Sequence, residues 1–196
     1  MKEKYSRVFG RIAKKGALFP PQLAFTLLIP VRNIFLSPKK LIKRLELKEK
    51  YNVLEVGPGA GYFSSEVAKA ISNGKLVLTD IQEEMLAISE KRLTKKKIFN
   101  VEYHLCNGVT FPFENNEFDV IYMVTVLGEI ENKQQYAKEF FRVLRPNGIL
   151  SISEQPGDPD KMTIGEIKDL LHYCGFKVDR LYGTKNNFTI NFRKFI

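Results

Sequence analysis

VLEVGPGAGYFS, residues 53 to 64, packs a buried strand, an acid and three alternate glycines into twelve positions. Val53, Leu54 and Val56 form the apolar run of a parallel strand covered on both faces. Gly57, Gly59 and Gly61 follow where the chain turns sharply into a helix. Glycine lets backbone approach a ligand with no Cβ in the way, so the segment points to a nucleoside-bearing ligand. A dinucleotide fingerprint would read G-x-G-x-x-G/A. Counting from Gly57 puts Tyr62 at the third small position, and the acid Glu55 precedes the first glycine. The pattern therefore departs from the dinucleotide type. A glycine-rich turn with no ligand is the bland alternative for the segment taken alone.

Outward from this turn the chain alternates helix-like and strand-like stretches. Ser37 and Pro38 start a helix running through Leu45, followed by a strand over 51–56. A helix over 63–71, a strand over 75–79 ending at Asp80, and a helix over 82–95 come next. Strands are predicted over 101–105 and 118–126, with an amphipathic helix over 133–144. Arg145-Pro146-Asn147-Gly148 reads as a turn into a strand over 149–153. Thr163 and Glu166 make a capping box for a last helix, and 176–182 with 188–194 form a closing hairpin. This order is that of an α/β sheet protein. It divides into a basic, apolar helical cap at 1–45 and one compact unit at 46–196.

Charge is distributed unevenly along the 196 residues, whose net charge is +9. Residues 1–50 hold thirteen Lys/Arg against three Asp/Glu, and the remainder eighteen against nineteen. The basic excess thus belongs to the N-terminal segment, which also carries an apolar centre from Ala17 to Leu36. Pro20, Pro21, Pro30 and Arg32 interrupt that centre, far short of the roughly 20 apolar residues a membrane-crossing helix needs. Two readings stay open: a lid of short helices over the site, or an interfacial segment touching anionic lipid or admitting an apolar substrate. A basic arm for RNA also fits the charge, without a recognisable nucleic-acid module. Cys106 and Cys174 form neither a CxxC pair nor a disulfide framework, and no stretch resembles a signal peptide. The expected location is cytoplasmic, with peripheral membrane contact as the variant.

Three further segments fall at successive strand ends. Asp80 lies about 20 residues beyond the glycines, where an acid bridges the two ribose hydroxyls in nucleotide folds; capping the following helix is its structural alternative. Asn107-Gly108-Val109-Thr110-Phe111-Pro112-Phe113 precedes Phe118-Asp119-Val120, and Phe140-Phe141-Arg142-Val143-Leu144-Arg145-Pro146-Asn147-Gly148 leads into the fifth strand. With the acid and G-x-G-x-G of residues 55–61, these four ordered motifs resemble the class I S-adenosylmethionine-dependent methyltransferases of the type 11, or UbiE-like, group, over about residues 45–154.

That resemblance implies a Rossmann-like, seven-stranded, mostly parallel sheet of order 3-2-1-4-5-7-6, with one antiparallel strand and helices on both faces. It implies S-adenosyl-L-methionine (SAM) held by Glu55, Gly57, Pro58, Gly59, Gly61 and Asp80, with Ile81 and Met85 on the adenine face or, equally, in the core. Asn107 stands where the family commonly has Asp, and its amide oxygen can still accept from the adenine amino group; Gly108 and Val109 offer backbone and an apolar edge. Backbone near Val124 meets the methionine part. Glu129 is the candidate general base or orienting acid, a solvated loop glutamate being the alternative. The family's frequent His near Gly128 is missing. His104 and His172 have no metal-ligand spacing around them, and no metal is expected. Tyr5, Phe9 and Arg11 are candidates to reach the cofactor from the arm, surface packing being the near-equal alternative.

For the acceptor, a small, apolar or lipid-like molecule leads, on the apolar lid. RNA or protein is second, on the basic arm, although residues 127–130 lack the Asn/Asp-Pro-Pro-aromatic element of amino-methylating nucleic-acid enzymes. A noncatalytic SAM-binding protein is third. Oligomeric state is not legible from these residues.

Overall fold

The computed structural model describes residues 19–28 and 34–195. A single seven-stranded sheet has the order β3-β2-β1-β4-β5-β7-β6. Its strands are β1 (Asn52–Val56), β2 (Lys75–Asp80), β3 (Val101–Leu105), β4 (Phe118–Val124), β5 (Leu144–Glu154), β6 (Phe176–Thr184) and β7 (Asn187–Lys194). The first five pair in parallel, and β7 runs antiparallel to both β5 and β6. The expected fold class and strand order are those observed.

Helices cover both faces because the central strands are apolar on both. Val53, Val120 and Tyr122 point into one core with α1 (Pro38–Leu45), α2 (Ser64–Ala70) and α3 (Glu83–Lys95), through Leu41, Val67, Leu86 and Leu93. Leu54, Ile121 and Met123 point into the other, with α4 (Lys133–Val143) and α5 (Ile164–His172), through Ala137, Phe140, Ile167 and Leu171. The period-2 alternation of strand side chains divides one apolar run between two cores. Ser37 caps α1 by accepting from the Lys40 N–H, and the capping box of Thr163 and Glu166 starts α5 as expected.

Two of the boundary differences from the sequence expectation have a structural cause. β4 ends at Val124, not 126, because Thr125 takes a left-handed φ of 56° while its N–H bonds Ser153 O at 2.8 Å. Arg145 to Gly148 are a bulge inside β5: Leu144 pairs with Phe118 and Ile149 with Val120, so four residues oppose Asp119 alone. Arg145 Nη1 closes the bulge on Asp119 Oδ1 at 2.7 Å. A short 3-10 helix, Pro21–Leu28, lies on α3, burying Leu23 and Ala24, with Ala24 in a small cluster with Ala60 and Met85. Tyr5, Phe9 and Arg11 fall outside the described residues. Among the described residues no helix is long and apolar enough to cross a membrane.

Candidate active site

Ligands of open α/β sheets bind beyond the carboxyl ends of the strands, where the strand order reverses. Here that point lies between β1 and β4. A cleft of about 760 Å³ opens there, within the ~300–1,000 Å³ usual for small-molecule sites.

The glycine turn forms one wall. Gly57 donates to Thr79 O at 2.9 Å, has φ 65°, and an added Cβ would stand 2.6 Å from Val126 Cγ2. Nothing but glycine fits that position. Pro58 and Gly59 continue the wall. Gly61 does not line the cleft: it is buried beneath α3, where an added Cβ would lie 3.3 Å from Ser89 Oγ. That hydroxyl in turn donates to Gly59 O at 2.7 Å. The third glycine allows helix and turn to pack closely, which corrects the expectation that all three face the ligand.

Two carboxyls stand on the same side. Glu55 is 3% exposed, and its Oε2 has no hydrogen bond within the protein. Burial pushes it up to about 7; the nearby Ser64 and Tyr122 hydroxyls oppose the shift and Asp80 adds to it. Such an oxygen needs a donor. Asp80 is pushed up to about 6 by burial, against the Gln82 and Ile81 N–H groups. Its Oδ1 accepts from Gln82 N at 3.0 Å, tightening the turn before α3; Gln82, not Asp80, occupies the helix N-cap. Ile81, Gly108 and Val109 lie along the cleft, Ile81 and Val109 being 44% and 46% exposed, and Met85 is buried against Ala24 and Ala60. Asn107 also lines it, with Oδ1 accepting from the Val109 and Thr110 N–H groups, both at 2.9 Å. Its amide shapes the loop that presents Gly108 and Val109, a duty not visible in the sequence.

Across the cleft stand Val124, Thr125, Val126 and Glu129. Glu129 ends the 3-10 helix Leu127–Glu129 and is pushed up to about 7, first by burial and then by Asp158, Asp160 and Asp80. Gly128 explains the crowding of acids: the Asp160 carbonyl packs where its Cβ would be. A His at 128 would displace that loop. Tyr136, with its hydroxyl 3.4 Å from Cys106 Sγ, closes the floor. Phe19 and Leu27, from the cap, and Tyr62 complete an apolar side. Sequence patterning left a lid and an interfacial segment both open without choosing these residues, and Tyr136 read only as the inner face of an amphipathic helix. His104 stacks edge-on to Phe113, and no His, Cys, Asp or Glu grouping suited to a metal occurs among the described residues.

Residues 47–174 match the family described as "Methyltransferase domain". The chain belongs to the class I SAM-dependent methyltransferases. A SAM-dependent methyltransferase from Aquifex aeolicus has a TM-score of 0.84 at 26% identity, covering 90% of this chain and all of that one. The ubiquinone/menaquinone biosynthesis C-methyltransferase UbiE of Francisella tularensis subsp. novicida is 29% identical over 78% of this chain and 59% of its own. UbiE of Hydrogenovibrio crunogenus is 34% identical over 52% of this chain and 41% of its own. The methyltransferase thus spans about half the length of the curated relatives it matches. SAM is its cofactor, and the cleft suits it: a glycine turn that a Cβ would obstruct, and two carboxyls able to accept from ammonium or ribose donors.

Proposed function

We propose that this methyltransferase acts on a small, apolar or lipid-like acceptor, and the apolar cleft side made by Phe19, Leu27 and Tyr62 carries the reading. Bound SAM supplies a methyl group already activated on a sulfonium. Asp80 takes the ribose hydroxyls, Ile81, Met85, Asn107, Gly108 and Val109 frame the adenine, and Glu55 with the turn at Gly57, Pro58 and Gly59 receives the amino-acid end. Val124 backbone borders the methionine part. Alignment of two reactants by such a cleft supplies on the order of 7 to 11 kcal/mol of barrier reduction with no dedicated catalytic side chain. Glu129, held half-buried at the opposite wall, orients the acceptor and takes its proton when the reacting atom bears one. The names of the UbiE relatives point to quinone-type acceptors and carbon methylation. The basic N-terminal segment suits peripheral contact with the anionic membrane in which such acceptors reside. RNA or protein methylation through the same arm is the competing assignment.

The full chain, given methyl-labelled SAM and, in parallel, demethylated quinols in anionic vesicles, total RNA and total protein, tests this. Label is expected in the organic extract. Label confined to RNA or protein would overturn the acceptor class.

A further inference from the structure

The cleft carries four charged side chains among the described residues, and all are acids: Glu55, Asp80, Glu129 and Glu131. Among the described residues no Lys, Arg or His joins them. Glu55 and Asp80 sit at the ends of β1 and β2, against the glycine turn. Glu129 and Glu131 flank Ile130 on the far wall, just before α4.

Residues behind that wall strengthen its field. Asp158 and Asp160 act electrostatically on Glu129, brought there by the contact between Gly128 and the Asp160 backbone. Charge repulsion in a part-buried cleft is several times stronger than in bulk water, and a wall of one sign acts against the wrong partner as well as for the right one.

We propose that Glu129 and Glu131 form a charge filter for the methyl acceptor, admitting neutral or cationic groups beside the reacting atom and rejecting carboxylates and phosphates there. The proposal rests on the cleft being a small-molecule methyltransferase site, and it makes Glu129 and Glu131 specificity-determining.

Tyrosol, tyramine and 4-hydroxyphenylacetate share one phenol ring and differ at the side-chain end in being neutral, cationic and anionic. Their binding to the full chain saturated with S-adenosylhomocysteine can be ranked by ligand-observed NMR at about pH 8.5, where Glu129, raised to about 7, is ionised. Tyrosol and tyramine are expected to bind, with 4-hydroxyphenylacetate at least about tenfold weaker. The Glu129→Gln, Glu131→Gln double variant, shown folded by its S-adenosylhomocysteine binding, is expected to bring the anion within about threefold of tyrosol. The filter is overturned if the anion binds the parent protein as well as tyrosol does, if the double variant leaves the gap unchanged, or if none of the three binds. Failure of S-adenosylhomocysteine itself to bind would instead bring down the methyltransferase reading of the cleft, and the filter with it.

Discussion

Leu27 fills the space that Gly59 leaves open: its Cδ1 lies 2.9 Å from where a Cβ on Gly59 would stand. The N-terminal cap and the glycine turn are therefore one unit, and both line the cleft. Leu27 thus packs on the turn at the edge of the cleft.

Gly59→Ala tests that unit. At φ 54° an alanine costs about 1 kcal/mol of backbone strain, and its methyl must also displace Leu27. SAM affinity by calorimetry is expected to fall at least about tenfold. Adding Leu27→Ala relieves the clash but not the strain, so the double variant should recover part of the loss. Strictly additive effects would mean that the two side chains do not share the space.

Asp80→Ala is expected to weaken SAM about 10- to 100-fold, the loss of charge-assisted hydrogen bonds to two hydroxyls. Asp80→Asn keeps one acceptor oxygen and should fall between. Unchanged affinity in Asp80→Ala would remove this residue from the ribose site.

SAM binding should also depend on pH with a defined sign. Glu55 and Asp80 are raised to about 7 and about 6, first by burial. Below pH 6 both are largely neutral and offer the cationic ligand no complement; above pH 7 both are charged. Affinity for SAM should therefore rise from pH 5.5 to 8, with protons released on binding at pH 6.5. S-adenosylhomocysteine, which lacks the sulfonium charge, should release fewer. Titrations in two buffers of different ionisation enthalpy measure this, and equal release for both ligands would show that the sulfonium is not sensed.

Periodicity and turn chemistry made the individual elements legible because they are local, as in the apolar run of 53–56 and the capping box at Thr163 and Glu166, while the strand order came with the family resemblance. What escaped the sequence was set by contacts from elsewhere. Thr125 carries no sign of the left-handed φ that ends β4 beside the Ser153 carbonyl. Gly61 has the same spacing as Gly57 and Gly59, yet Ser89 of α3 decides that it faces away from the cleft. Asn107 reads as an acceptor for adenine, while two backbone N–H groups already use its oxygen.

Arg142 shows the same limit within a recognised motif, with a consequence for binding. Its guanidinium forks onto Glu139 at 2.8 Å from both Nε and Nη2, and it reaches Phe113 O at 2.7 Å and Phe111 O at 3.0 Å. Glu139 Oε2 also accepts from Phe111 N at 2.8 Å. This clamp fixes the segment between β3 and β4 that carries Asn107 to Val109. Arg142→Ala leaves the nearly buried Glu139 without its partner and is expected to cost about 2 to 3 kcal/mol of stability, with weaker SAM binding. Arg142→Lys cannot reproduce the fork and should recover less than half. Parent-like melting and SAM affinity in Arg142→Ala would show that the loop holds without it.

Glu154 links the acidic wall to stability. Burial, with Asp158 and Glu129 adding to it, raises this carboxyl to about 8 from an ordinary value near 4.5, against the Met162 N–H and Lys161. An acid whose folded value is raised favours the folded state below its unfolded value, and that advantage disappears as pH rises through the folded one. Ionising the fully buried Glu154 therefore opposes folding across about pH 4.5 to 8. Glu129 and Glu55, each raised to about 7, act in the same sense over a narrower window. The ligand-free protein should thus melt higher at pH 6 than at pH 8.5. Glu154→Gln keeps the neutral shape and cannot ionise, so it should match the parent near pH 5 and exceed it by a few kcal/mol near pH 9. Equal pH slopes in the two proteins would place that ionisation elsewhere.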